Sequence, residues 1–273
     1  MDETSHDHDD HGGFGRDVPM LLGRRRALVL LGGAGLAGVV AACGGDDGTA
    51  ASTTSTAAAG GSSTTTGGSG AEIPDETAGP FPADGTNGPD VLNLDGVVRS
   101  DITSSIGDLS GTAEGVPMVV ELTVVEADTG EPLPGAAVYL WHCTADGRYS
   151  IYEVEDQNYL RGVQEADADG TVSFTTVFPG CYPGRWPHAH FEVFDALSSA
   201  TSGREADKTS QLAVPRAECE AVYADDRYGS SLENLGRLSL ETDGIFSDGA
   251  DDQVVTISGS PDDGYTATLL VRV

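Results

Sequence analysis

The sequence predicts an all-β fold: an antiparallel β-sandwich whose long loops carry the chemistry. Three observations lead there. Short segments alternate apolar and polar residues with period two, as half-buried strands do. Turn signals separate them, at Thr129-Gly130, Asp146-Gly147, Asp169-Gly170, Pro179-Gly180 and Pro183-Gly184. No long stretch carries a helical period, so the apolar faces of paired sheets must cover one another.

The elements follow from the N-terminus. Met1 to Gly23 is polar and rich in His and Asp, and Arg24-Arg25-Arg26 then precede an apolar run from Ala27 to Ala42. That run falls short of the ~20 residues of a membrane span, and basic, apolar and small residues in that order read as an export signal. The paired arginines resemble a twin-arginine signal, and Val40-Ala41-Ala42-Cys43-Gly44 resembles the lipobox of bacterial lipoproteins. That resemblance makes residues 1–43 a signal segment and Cys43 the lipidated residue. It implies an exported protein, anchored by lipid to the outer face of the membrane. Residues 44–73, mostly Gly, Ser, Thr and Ala, lack the apolar surface to fold and form a tether. Residues 74–273 form the domain.

Within the domain, Val120, Leu122 and Val124 face one way and Glu121 and Thr123 the other, which defines a strand over Val119–Val125. Ala137 to His142 is a second, more apolar strand. Val172, Phe174 and Thr176 alternate with Thr171, Ser173 and Thr175, and His188–Phe194 and Tyr265–Val273 complete the set. The formal charge of −30, from 44 acidic against 14 basic residues, repels phosphate backbones and excludes nucleic acid as a partner. The acidity serves solubility.

The chemistry concentrates in Cys181-Tyr182-Pro183-Gly184-Arg185-Trp186-Pro187-His188-Ala189-His190-Phe191. His188 and His190, two apart on a strand, share one face with their backbones ~6.5–7 Å apart, so their imidazoles can converge on one ion. Tyr182 sits on the Gly/Pro turn just before them, and Asp146-Gly147-Arg148-Tyr149 places a second phenol after another tight turn. Taken singly, a His-x-His pair or a turn tyrosine has an ordinary explanation in packing. Two phenols beside two imidazoles make an unusual set. A phenol with a pKa of ~10 binds as phenolate only to a strongly acidic ion, so the set suits iron(III) rather than zinc or iron(II).

With these motifs the chain resembles the intradiol ring-cleavage dioxygenases, the family of catechol 1,2- and protocatechuate 3,4-dioxygenases. The likeness covers most of residues 74–273. It runs through Glu76-Thr77-Ala78-Gly79-Pro80-Phe81, Val98-Arg99-Ser100-Asp101-Ile102, Pro132-Leu133-Pro134-Gly135-Ala136, Leu140-Trp141-His142-Cys143, Tyr159-Leu160-Arg161-Gly162-Val163-Gln164 and the Tyr182–Phe191 block. The resemblance implies that Tyr149, Tyr182, His188 and His190 bind Fe(3+). It implies that a catechol-type diol reacts with O2 between its two hydroxylated carbons to give a muconate-type product. It also implies that Tyr182 leaves the metal as the diol binds and helps take up a proton. Arg185 matches the family's charge-stabilising arginine, and Gln211 its active-site glutamine. Phe81 stands where many relatives carry Tyr, and the helical dimerisation region of catechol 1,2-type enzymes is missing, so neither substrate nor oligomeric state follows.

Some residues keep two readings. Trp186 and Tyr152 fit pocket walls and ordinary packing equally well. Cys143, Cys181 and Cys219 allow one disulfide and one free thiol, or a Cys181 that is a small buried neighbour of the metal. Pro132 to Leu140 also resembles transthyretin-like binding modules, which lack the four-ring set.

Overall fold

The computed structural model describes residues 70–273. The expected signal segment 1–43, its Cys43 and most of the tether lie outside the described residues. Among the described residues, eight strands build two sheets: β1 Pro117–Val125, β2 Ala137–Trp141, β3 Arg161–Glu165, β4 Thr171–Val177, β5 His188–Phe194, β6 Lys208–Ala213, β7 Thr256–Ser260 and β8 Gly264–Arg272. One sheet runs β4-β1-β8-β7 and the other β3-β2-β5-β6.

The sandwich expectation holds, with one departure. β1 and β8 pair in parallel, Met118 opposite Tyr265 through Val125 opposite Arg272. Nearly the whole domain separates these two strands in sequence, so no hairpin dictates their direction. The chain also joins the fold ahead of the expected boundary at 74. Gly70 N–H donates to the Ala127 carbonyl and Ile73 N–H to the Arg272 carbonyl, and Ile73 is buried.

Period two explains the core. In β1 the alternate residues Met118, Val120, Leu122 and Val124 are buried, and they meet Ala189, Phe191 and Val193 of β5 between the sheets. Burying a Phe such as Phe191 stabilises by about 2–3 kcal/mol. The second sheet is buried on both faces, since every residue of β2 and β5 is buried. Its outer face packs Tyr139, Trp141 and Phe194 against Ala83, Val91 and Val97 from residues 77–106. Ala189, Phe191 and Val193 thus spend one face of β5 on the core, and His188, His190 and Glu192 are left on the face that the loops cover.

Two short helices, α1 Arg216–Val222 and α2 Ser231–Leu235, lie between β6 and β7. At 7 and 5 residues they are too short to show a helical period. No helix among the described residues is long and apolar enough to cross a membrane.

Candidate metal centre

Each of the four rings has its own means of placement. Tyr149 follows a tight turn in which Gly147 N–H donates to the Thr144 carbonyl and Arg148 N–H to Thr144 Oγ1, at 2.9 Å each. Gly147 adopts φ +83°, which a side chain would strain. The Glu153 carboxylate accepts from Tyr149 N–H, and the Phe81 ring packs 5.0 Å from the Tyr149 ring. Tyr182 rides on a turn pinned from α2, where Ser231 Oγ accepts from Cys181 N–H and Asn234 Nδ2 donates to the Cys181 carbonyl. The two turns touch at Gly180, whose N–H donates to the Thr144 carbonyl and whose Cα leaves no room for a methyl against the Ala145 and Thr144 carbonyls.

His188 and His190 come from β5. His188 Nδ1–H donates to the Trp186 carbonyl at 2.5 Å, which leaves Nε2 with the lone pair. His190 lies flat on Trp141, with centroids 4.9 Å apart and planes 5° off parallel.

The four reactive atoms converge. His188 Nε2 and His190 Nε2 are 3.1 Å apart, and Tyr182 Oη is 3.2 Å from His188 Nε2. Tyr149 Oη is 3.3 Å from His190 Nε2 and 3.5 Å from His188 Nε2. Donors ~2 Å from a common ion stand about 2.8–3.4 Å from one another, so these separations suit one shared ion. Among the described residues no group of three or more His, Cys, Asp and Glu is placed to hold a metal. The donor set here is two imidazoles and two phenols.

Electrostatics agrees with that use. Burial, then the Arg185 charge, holds His188 well below the usual histidine range, and burial, His188 and Arg185 do the same for His190. Both are therefore neutral at pH 7, with lone pairs available. Burial, then Tyr182 and Cys143, pushes Tyr149 well above the ordinary phenol. Only a strong positive charge at the centre would ionise it. The phenols differ in access: Tyr149 is 1% exposed, while Tyr182 is only half-buried.

Arg185 and Gln211 lie beside the rings. Gln211 sits opposite His190 in the β5–β6 pairing, and Arg185 Nη2 donates to Gln211 Oε1 at 2.7 Å. Gln211 Nε2 donates onward to the Thr77 carbonyl at 2.8 Å. Arg185 is not a surface ion pair. It is 2% exposed and bonded through Nε to Asp243, a residue that no motif had singled out. Arg161 was likewise overlooked, though it lies inside a quoted motif. Its guanidinium donates to Ser150 Oγ, the Ser150 carbonyl and the Pro82 carbonyl, and so ties the Tyr149 loop to the segment near Phe81.

Of the open readings, those of Trp186 and the cysteines resolve, while Tyr152 fits both of its own. Trp186 is core, its Nε1–H donating to the Val214 carbonyl. Tyr152 packs 5.1 Å from Phe81, and its hydroxyl accepts from Ala83 N–H and donates to Asn87 Oδ1. Cys143, Cys181 and Cys219 are all free and buried, so none of them forms a disulfide.

Comparison with known proteins agrees with this picture. Residues 87–206 match the family model Dioxygenase_C, described as "Dioxygenase". That span contains Tyr149, Tyr182, Arg185, His188 and His190, whereas Gln211 and Asp243 lie beyond it. The chain is 36% identical over 158 residues to 6-chlorohydroxyquinol 1,2-dioxygenase of Cupriavidus pinatubonensis, covering 51% of this chain and 54% of that protein. It is 32% identical over 77 residues to hydroxyquinol 1,2-dioxygenase of Corynebacterium glutamicum, covering 28% of this chain and 25% of that protein. An intradiol ring-cleavage dioxygenase from Tetranychus urticae superposes with a TM-score of 0.52 at 26% identity, over 64% of this chain and 85% of that one. The matches to these two curated relatives thus span between a quarter and about half of the relatives' length. The two curated relatives are named as 1,2-dioxygenases, and the solved structure as an intradiol ring-cleavage dioxygenase.

Proposed function

We propose that this chain is a non-haem iron(III) intradiol dioxygenase that opens catechol-type rings between the two hydroxylated carbons with O2, giving muconate-type products. The observation that carries the reading is the meeting of two phenol oxygens and two imidazole nitrogens at separations of 3.1–3.5 Å. Tyr149, Tyr182, His188 and His190 would hold the ion. When bound, ferric iron supplies Lewis acidity and a template for the diol.

The remaining chemistry belongs to the chain's own residues. The enclosed imidazoles stay neutral and bind through Nε2. Tyr149, packed under Phe81, is a fixed ligand, whereas half-buried Tyr182 has the exposure to take up a proton from an arriving diol hydroxyl. Arg185 places a buried positive charge that is felt at Tyr149, His188 and His190, where it favours the diol's anionic form. Trp141 beneath His190, and Gly79 close against its Cε1, exclude water from that side.

Oxygen uptake by iron-loaded protein across a panel of catechols, with the products identified, tests the reaction. Ring opening between the hydroxylated carbons is the expected result; iron-loaded protein that consumes no oxygen with any catechol would overturn it. Export and acylation at Cys43 belong to the same proposal and rest on residues 24–44 alone. Fatty-acid labelling in cells should be lost in Cys43→Ala, and labelling that persists would contradict the anchor.

A further inference from the structure

We propose that Asp243 is a positioning residue, which acts through Arg185 by fixing the plane and place of its guanidinium beside the metal centre. The proposal rests on the reading of Arg185 given above. Asp243 is far from Arg185 in sequence and outside the matched family span. It lies between the two short turns that follow α2, Leu240–Thr242 and Phe246–Asp248.

The geometry is that of a built socket. The Asp243 side chain is fully enclosed and Arg185 nearly so, at 0% and 2% exposure. Asp243 Oδ2 accepts from Arg185 Nε at 3.1 Å and from Trp186 N–H at 2.7 Å, so one oxygen holds both the arginine side chain and the backbone just after it. Oδ1 accepts from Ile245 N–H at 2.8 Å and Phe246 N–H at 3.2 Å, which anchors the carboxylate to its own loop. Gln211 then holds the guanidinium at Nη2 and passes the chain of bonds to Thr77. Held at Nε on one side and Nη2 on the other, the planar fork keeps little freedom to rotate. A buried charge that stabilises a transition state must be aimed before reaction, because reorganisation would consume its benefit.

Asparagine at this position is the informative change. Its carbonyl can still serve Ile245 and Phe246, but its amide then faces Arg185 Nε–H and Trp186 N–H, donor against donor. The loop keeps its anchor, while the arginine loses its shorter contact at Oδ2 and keeps only the longer one, Nε to Oδ1 at 3.4 Å.

The test uses full-length, iron-loaded protein with catechol, and reads oxygen uptake per bound iron together with the visible tyrosinate–iron absorption. Asp243→Asn is expected to leave that absorption in place and lower kcat by about 10- to 100-fold, less than the ~100- to 1,000-fold lost when a preorganised donor is removed outright, with a KM change within about threefold. Arg185→Gln should lower kcat at least as much. The double variant R185Q/D243N should be no slower than R185Q alone, since a residue acting only through Arg185 has nothing left to position. Should D243N not accumulate as folded protein, the double variant, which removes both buried charges, is compared with R185Q, and equal kcat supports the proposal. Losses that multiply in the double variant would overturn it, as would a D243N enzyme that turns over like the parent. An impaired R185Q beside an unimpaired D243N sinks this proposal alone. A parent that takes up no oxygen removes the functional reading and this proposal with it.

Discussion

Changing Glu192 to Gln should alter how the domain's stability depends on pH. Glu192 projects from β5 on the same face as His188 and His190 and is 1% exposed. It faces Asp84, which is wholly buried. Asp84 Oδ1 accepts from Thr86 N–H at 2.9 Å, but neither Asp84 Oδ2 nor Glu192 Oε2 meets a donor. Burial, then the neighbouring Asp84, pushes Glu192 up to about 9. The folded state therefore keeps a proton that the unfolded chain, with a glutamate pKa of ~4.3, has released at neutral pH. Where the native state binds the extra proton, stability falls as pH rises, by about 1.4 kcal/mol per unit. Over pH 7 to 8.5 this amounts to about 2 kcal/mol. Above pH 7 Glu76, raised mainly by burial to about 7, adds little further change, and the buried histidines are largely neutral in both states. Glu192→Gln supplies a permanent donor to Asp84 with no proton to lose, so its stability should fall by about 2 kcal/mol less than the parent's over that range, the remaining slope coming from the buried thiols Cys143, Cys181 and Cys219. Urea unfolding at several pH values measures both curves. Parallel curves for parent and variant, or parent stability that rises from pH 7 to 8.5, would refute the reasoning.

Further expectations follow from other contacts. Arg161→Lys replaces a buried fork of four hydrogen bonds, to Ser150 Oγ, the Ser150 and Pro82 carbonyls and Tyr139 Oη, with one point charge. It should cost about 2–4 kcal/mol in urea unfolding, and an effect under about 0.5 kcal/mol would contradict the clamp. Gly180→Ala puts a methyl 2.4 Å from the Ala145 carbonyl oxygen, so the turns bearing Tyr149 and Tyr182 must separate. Iron content should drop with stability, and full iron loading at parental stability would argue against the packing described. Cys143, Cys181 and Cys219 are buried free thiols, with Cys143 and Cys219 pushed far above the ordinary thiol by burial. A thiol reagent should modify none of the three in native protein and all three after denaturation, with no change under reductant.

The sequence exposed those parts of the fold where one face of a strand is wet. β1 and β4 alternate cleanly, so both could be read from period two, as could the common face of His188 and His190. β3 and β6 show no clean apolar alternation, because Arg161, Lys208, Ser210 and Gln211 interrupt it with polar side chains, yet all four are buried. The parallel β1–β8 pairing is non-local and leaves no short-range mark. The metal-centre candidates were legible because three of them fall within nine residues and the fourth follows a recognisable turn. Asp243 was not, since an acidic residue in a polar turn resembles any solvated loop until folding carries it to Arg185. Asp84 and Glu192 belong to the same class, distant carboxyls whose meeting depends on the tertiary fold.

The most direct test of the account is the visible absorption spectrum of the iron-loaded protein beside those of Tyr149→Phe and Tyr182→Phe. Tyrosinate-to-iron(III) charge transfer should colour the parent burgundy, each single variant should weaken the band, and the double variant should abolish it. A colourless parent carrying stoichiometric iron, or a band indifferent to both substitutions, would contradict the claim that these two phenols and His188 and His190 share one ferric ion.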